Sequence, residues 1–217
     1  MLKRTLLLMV ISTMWIGCLA KRQVIEGNQF QSSVPSMMIK IDTQMPYLGK
    51  TESSSFNYGS GDGRFNIAPE RHEAFYFIES GRNNLIDRFV ILVFSSITEN
   101  HWFYIDNFEK WWQNPLQYGN DDLGKRKYKS ASLISSIKGS DFAKYFNSKS
   151  HFLANCYALK VLHCLPSENR RVTVWYGENC ERFSPWLTKS SQNDDQKLNM
   201  LIKKLDENFK QAIVSLN

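Results

Sequence analysis

Four cysteines and four histidines are the residues whose chemistry must be placed first. Cys156, Cys164 and Cys180 fall within one short stretch, and His163 adjoins Cys164. Such a set can form a disulfide, hold a metal or supply a thiolate. Structural zinc sites carry closely spaced ligand pairs, and no Cys-x-x-Cys occurs here. A nucleophilic cysteine needs a base that is held by a third group. No spacing ties His72, His101, His151 or His163 to a thiol. Neither a Gly-x-Ser-x-Gly elbow nor a His-Glu-x-x-His is present. The glycines between Gly59 and Gly63 lack the Lys-Ser/Thr and following helix of a phosphate loop. The sequence thus names no catalytic, cofactor-binding or metal-ligating residue, and a non-enzymatic role is the better expectation.

A disulfide is the chemistry left to the cysteines. Residues 152–164 and 171–180 suit a hairpin around 166–170, although 152–164 reads equally as helix or strand. A turn centred on Glu168 sets opposite each other residues whose numbers add to 336. Cys156 and Cys180 meet that condition, and Cys164 would face Val172 as a buried thiol. Cys156–Cys180 is the favoured pair and Cys164–Cys180 its rival. A helical 152–164 would remove the register argument.

The second chemical group is aromatic. Trp102, Phe103, Tyr104, Phe108, Trp111, Trp112 and Tyr118 crowd one segment. Exposed, such rings stack on sugars or anchor a partner; the alternative is core with one rim. Trp102, Trp111 and Trp112 are the candidate binding surface. The run Lys125-Arg126-Lys127-Tyr128-Lys129 beside them reads as a solvated loop, with contact to an anionic surface as its functional alternative.

Cys18 stands apart from the other three cysteines. Lys3 and Arg4 precede an eleven-residue core, Leu6 to Ile16, that only Ser12 and Thr13 interrupt. A positive start, a short apolar core and a small-residue exit make a secretory signal peptide. The core is too short for a spanning helix, which needs about 20 residues. Trp15-Ile16-Gly17-Cys18 resembles the bacterial lipobox, with Trp15 where leucine is usual. The resemblance implies a lipoprotein of the cell envelope, cut before Cys18 and anchored by acyl chains such as palmitate. In lipoproteins of the kind this resembles, Leu19 in place of Asp after the cysteine is compatible with delivery to an outer membrane. Cleavage after Ala20 would instead give a secreted or periplasmic protein. An exported chain sits where disulfides persist.

The remaining composition suits an ordinary globular body. The formal charge is +6, of which Lys3 and Arg4 supply two, leaving a mildly basic mature protein. That is too little to argue for nucleic acid. Three functions follow in order: a membrane-anchored envelope lipoprotein with a binding or structural role, an exported hydrolase or thiol redox enzyme, and a soluble secreted binding protein. The expected partners are the membrane and an envelope protein or polysaccharide.

These sites need elements to carry them. The chain is expected to divide into a signal peptide at 1–17, a tether at 18–35 and one globular domain at 36–217. Met37, Ile39 and Ile41 alternate as a first strand. Residues 43–69 and 116–129 read as loops. Residues 73–79 and 88–95 are strands joined by the turn-rich Gly81-Arg82-Asn83-Asn84; 102–105 is a further candidate strand. Phe108 to Trp112 suggests a helical turn, and Ser140 caps a short helix. Leu198, Leu201, Ile202, Leu205, Phe209 and Ile213 recur at helical spacing behind a Ser191–Asp194 capping pair. The expected fold is α+β: a largely antiparallel sheet with packed helices, including this amphipathic C-terminal one.

Overall fold

A computed structural model describes residues 21–61, 64–99, 103–183 and 195–216. Cys18, His101, Trp102 and the Ser191–Asp194 pair lie outside the described residues. Strands β1 (Arg22–Ile25), β2 (Gln29–Ser33), β3 (Ser36–Ile41) and β12 (Ile213–Ser215) make a small antiparallel sheet in that order. The larger sheet runs β4 (Tyr47–Gly61), β5 (Arg64–Ser80), β6 (Leu85–Ile97), β11 (Arg170–Asn179), β10 (Tyr157–Ser167), β8 (Arg126–Ser135), β7 (Gln117–Leu123). All these neighbours are antiparallel; the short β9 (Phe152–Leu153) joins β6 in parallel. The described helices are α1 (Asp141–Ser148) and α2 (Asp195–Ala212), with short 3-10 turns.

The α+β expectation is therefore corrected to a largely β fold, with 54% strand and two α-helices among the described residues. The difference comes from the two stretches read as loops. Residues 47–61 and 64–80 pair as one long hairpin, and 117–123 pairs with 126–135. β4 and β7 are the edges of this sheet, and ladder hydrogen bonds made by backbone let polar sequences form strands without apolar alternation. Gly124, with φ of 66°, opens the tight two-residue turn between β7 and β8. Conversely, 103–107 is not a strand. Its Tyr104 instead hangs from the β10–β11 turn, N–H to the Glu168 carbonyl at 2.7 Å.

Part of the stretch read as a tether is sheet. Phe30 on β2 is fully buried, edge-on to Phe75 at 4.8 Å and stacked on Phe94 at 5.3 Å in the large sheet. Burying so large a ring contributes about 2–3 kcal/mol. The small sheet and α2 together cover one face of the large sheet. The second face is covered by α1, β9 and the 3-10 turn Phe108–Lys110. Coverage on both faces accounts for the unbroken apolar run Phe89 to Phe94 of β6.

α2 presents Leu201, Ile202, Leu205 and Phe209 to the core and Lys203, Lys204 and Lys210 to solvent. Polar contacts fix its seat. Buried Lys160 of β10 meets Asp206 of α2 and Asp121 of β7, each at 2.8 Å. Asn208 donates to buried Glu178 at 2.8 Å. Ser140 caps α1, accepting from the Ala143 N–H at 3.3 Å.

From Tyr157 to Cys164, β10 and β11 pair in the expected register, Tyr157 opposite Asn179 and Cys164 opposite Val172; a bulge between Cys164 and Ser167 shifts it by one, so the turn itself pairs Ser167 with Arg170. One step beyond Tyr157 and Asn179, Cys156 and Cys180 form a disulfide with Cα atoms 5.4 Å apart. Closing this loop contributes about 3 kcal/mol in the chain-entropy account. Cys164 is a free, half-buried thiol.

Candidate functional site

Successive residues of a strand point to opposite faces, so the register determines which side chains meet. On the α1-covered face, Ser53, His72, Ser95 and Arg171 form one row across β4, β5, β6 and β11. Thr51, Ala74, Val93 and Thr173 form the next. Apart from His72 and Arg171 these side chains are small, where the opposite face carries Phe75 and Phe94. The small floor leaves a cleft of about 270 Å³. Trp111, Phe142 and Trp175 wall it, with Tyr76 at its end. Phe142 meets Trp175 edge-on at 5.6 Å, and Tyr76 is fixed by Thr51 through a 3.0 Å hydroxyl contact.

The polar end of the cleft is built around Glu70, which is only 4% exposed. Its carboxylate accepts from the Arg171 guanidinium at 2.5 Å and from the Tyr104 hydroxyl at 2.6 Å. Arg171 also lies over the rings of Tyr104 (4.8 Å) and Trp111 (5.5 Å). Burial, reinforced by the Glu70 charge, pushes the Tyr104 hydroxyl well above the usual phenol range. The hydroxyl therefore keeps its proton and donates it to Glu70.

His72 bridges two serines, with Nε2 2.6 Å from Ser55 Oγ and Nδ1 2.9 Å from Ser95 Oγ. Glu70 lies 3.8 Å from Nδ1. Burial, then the Arg171 charge, lower the imidazole pKa against the opposing pull of Glu70. A neutral ring can accept the Ser55 proton at Nε2 only when Nδ1 carries the hydrogen and donates it to Ser95. The arrangement is one in which a serine hydroxyl faces a base that is itself oriented.

Of the candidate surface residues, Trp111 faces the cleft. Trp112 is half-buried behind it, packed on Phe108 at 5.1 Å and Trp175 at 6.1 Å. Trp175, Phe142, Arg171 and Glu70 escaped the sequence reading. They come from different elements, and only the strand register brings them together. The basic run forms the β7–β8 turn and the start of β8, where Lys129 meets Asp106 and Glu109, each at 3.1 Å.

His163 and Cys164 are chain neighbours but point to opposite faces of β10. His163 stacks on Phe108 at 5.1 Å and is buried, and its pKa is driven down to about 4, mainly by burial. Cys164 faces the α2 side, where burial pushes the thiol up to about 11. That opposes thiolate formation. His151 contacts Ser80 at 3.0 Å. Among the described residues no three His, Cys, Asp or Glu side chains converge as metal ligands. No protein-family model, curated protein or solved structure matches this chain.

Proposed function

We propose that this protein is a membrane-anchored envelope lipoprotein whose body binds a saccharide of the cell envelope in the aromatic cleft. The observation that carries the binding reading is the juxtaposition of flat rings with fixed polar groups. Trp111, Phe142 and Trp175 offer faces for the C–H surfaces of a sugar ring. Arg171, His72, Asp141 and Thr51 line the same space and suit its hydroxyls. Arg171 is held by Glu70 before any ligand arrives, so little ordering is required on binding. The anchor reading rests on the lipobox-like sequence ending at Cys18.

Two measurements test these parts separately. The intact mass of the processed protein from membranes, set beside a Cys18→Ala variant, is expected to show acyl chains lost in the variant. An unacylated chain beginning at Lys21 would replace the anchor with the soluble secreted alternative. Titration with soluble fragments of envelope polysaccharide is expected to change tryptophan emission, and Trp175→Ala to weaken binding at least tenfold. An unchanged affinity in Trp175→Ala and Trp111→Ala would remove the cleft as the ligand site.

The Ser55–His72 contact favours one second reading, an exported hydrolase. A fluorophosphonate probe would label Ser55 in such an enzyme, and Ser55→Ala would abolish the label. No labelling of the native chain rules that reading out.

A further inference from the structure

A larger cavity, about 600 Å³, opens on the opposite face of the large sheet at the same end. Its floor is another register row: Ser54, Arg71, Ser96 and Arg170 lie side by side on β4, β5, β6 and β11. Strands are about 4.8 Å apart, so two guanidinium-bearing residues flank the Ser96 hydroxyl at roughly 10 Å separation of their backbones. Arg22 reaches the same cavity from β1 and lies over the Phe94 ring at 4.5 Å.

The acids of the cavity leave Arg71 and Arg170 unpaired. Glu73 is taken by Arg22, and Glu52 by Lys50 at 2.6 Å. Neither Arg71 nor Arg170 has a carboxylate within 4 Å among the described residues, although Arg71 acts on Glu52 at longer range. The Arg22 guanidinium is already held by Glu73 and the Val34 carbonyl, so it borders the cavity as a fixed wall. Arg22 stands four residues after Cys18. A chain of that length spans at most about 14 Å.

We propose that this cavity is a binding site for a phosphoryl group, with Arg71 and Arg170 as its charged walls and the Ser54 and Ser96 hydroxyls as further donors. Guanidinium forks match phosphate oxygens in charge and in geometry. Two sources share this chemistry: a free phosphate or phosphomonoester, and the headgroup of an anionic lipid. The second source rests on the lipid anchor proposed above, which would hold the cavity close to the headgroup layer; the site itself does not.

The test uses the processed full-length protein purified in detergent. Inorganic phosphate and glycerol phosphate are titrated by calorimetry. Binding to phosphatidylcholine vesicles is then compared with and without phosphatidylglycerol. Arg71→Gln with Arg170→Gln is expected to weaken phosphoryl binding at least tenfold, while Lys203→Gln on the exposed face of α2 leaves it unchanged. Phosphate binding in detergent identifies a free ligand; binding only to phosphatidylglycerol vesicles identifies a headgroup; either supports the site. Equal weakening by Lys203→Gln, or no binding in both arms, overturns it. Acylation is read independently by mass, so loss of the anchor and loss of the site are distinguishable.

Discussion

Arg171 and Glu70 are 101 residues apart in the chain and 2.5 Å apart in the structure. The pair spans β11 and β5, with β6 between them, and Tyr104 closes it from the loop. It fixes the polar end of the aromatic cleft, and its two members are not equivalent. Glu70 is 4% exposed, whereas the Arg171 side chain is 22% exposed.

Arg171→Ala leaves a buried carboxylate with only Tyr104 as donor. It is expected to destabilise the fold by about 3 kcal/mol. Adding Glu70→Gln to that variant should recover part of the loss, because the stranded charge is gone. Urea unfolding of the two single variants and the double variant measures the coupling. Strictly additive losses would mean that the contact carries no energy.

His163 makes stability depend on pH in a definite direction. The unfolded imidazole takes up its proton near pH 6.5, while the folded one resists until about 4. Protons therefore favour the unfolded chain in that window. The contribution is complete above 6.5 and lost as pH falls through 4, amounting to roughly 3 kcal/mol. Arg171, Asp106 and Lys129 are the charges that act on the ring. His163→Phe keeps an aromatic stack on Phe108 and removes the titration. Its unfolding midpoint should fall less than the native one between pH 6.5 and 4. Parallel losses would assign the pH dependence elsewhere, His72 being the next group with a lowered pKa.

Gly177 lies directly opposite Phe89 in the β6–β11 pairing. A β-carbon there would stand 2.3 Å from the Phe89 ring and 2.9 Å from Leu159. Phe89 is fully buried between Phe146 (6.2 Å) and Tyr157 (5.2 Å), so the ring has little room to yield. Gly177→Ala should destabilise by about 1–3 kcal/mol through overpacking. Pairing it with Phe89→Leu, which vacates the ring's place, should cost less than the two single changes together. A thermal midpoint for Gly177→Ala equal to the native one would show that the sheet absorbs the methyl group.

Local pattern and turn chemistry made some of this legible in the sequence. The alternation of Met37, Ile39 and Ile41 marked β3, and the stripe from Leu201 to Phe209 marked α2. Ser140 identified the start of α1. The Cys156–Cys180 pair follows the expected hairpin register, but that register is reached through a bulge between Cys164 and Ser167 and not from the turn alone, which pairs Ser167 with Arg170. Residues 73–79 of the long hairpin carry a strand pattern, but its polar part within 47–69 was illegible, since its hydrogen bonds are made by backbone that every residue shares.

Spacing within the chain marks the apolar stripe of α2 and the alternation of β3, favours one disulfide pair without excluding its rival, and sets Cys18 apart from the other cysteines. The tertiary structure alone decided which residues became neighbours. Glu70, His72, Ser95, Trp111, Phe142, Arg171 and Trp175 carry no common motif. They converge because strands far apart in the chain lie beside one another, and because each residue's parity along its strand assigns it a face. The same parity sends Arg71 and Arg170 to the other side and separates His163 from Cys164. Pairing between distant strands is a property of the whole chain, whereas spacing within a segment is local; only the second is visible before the chain folds.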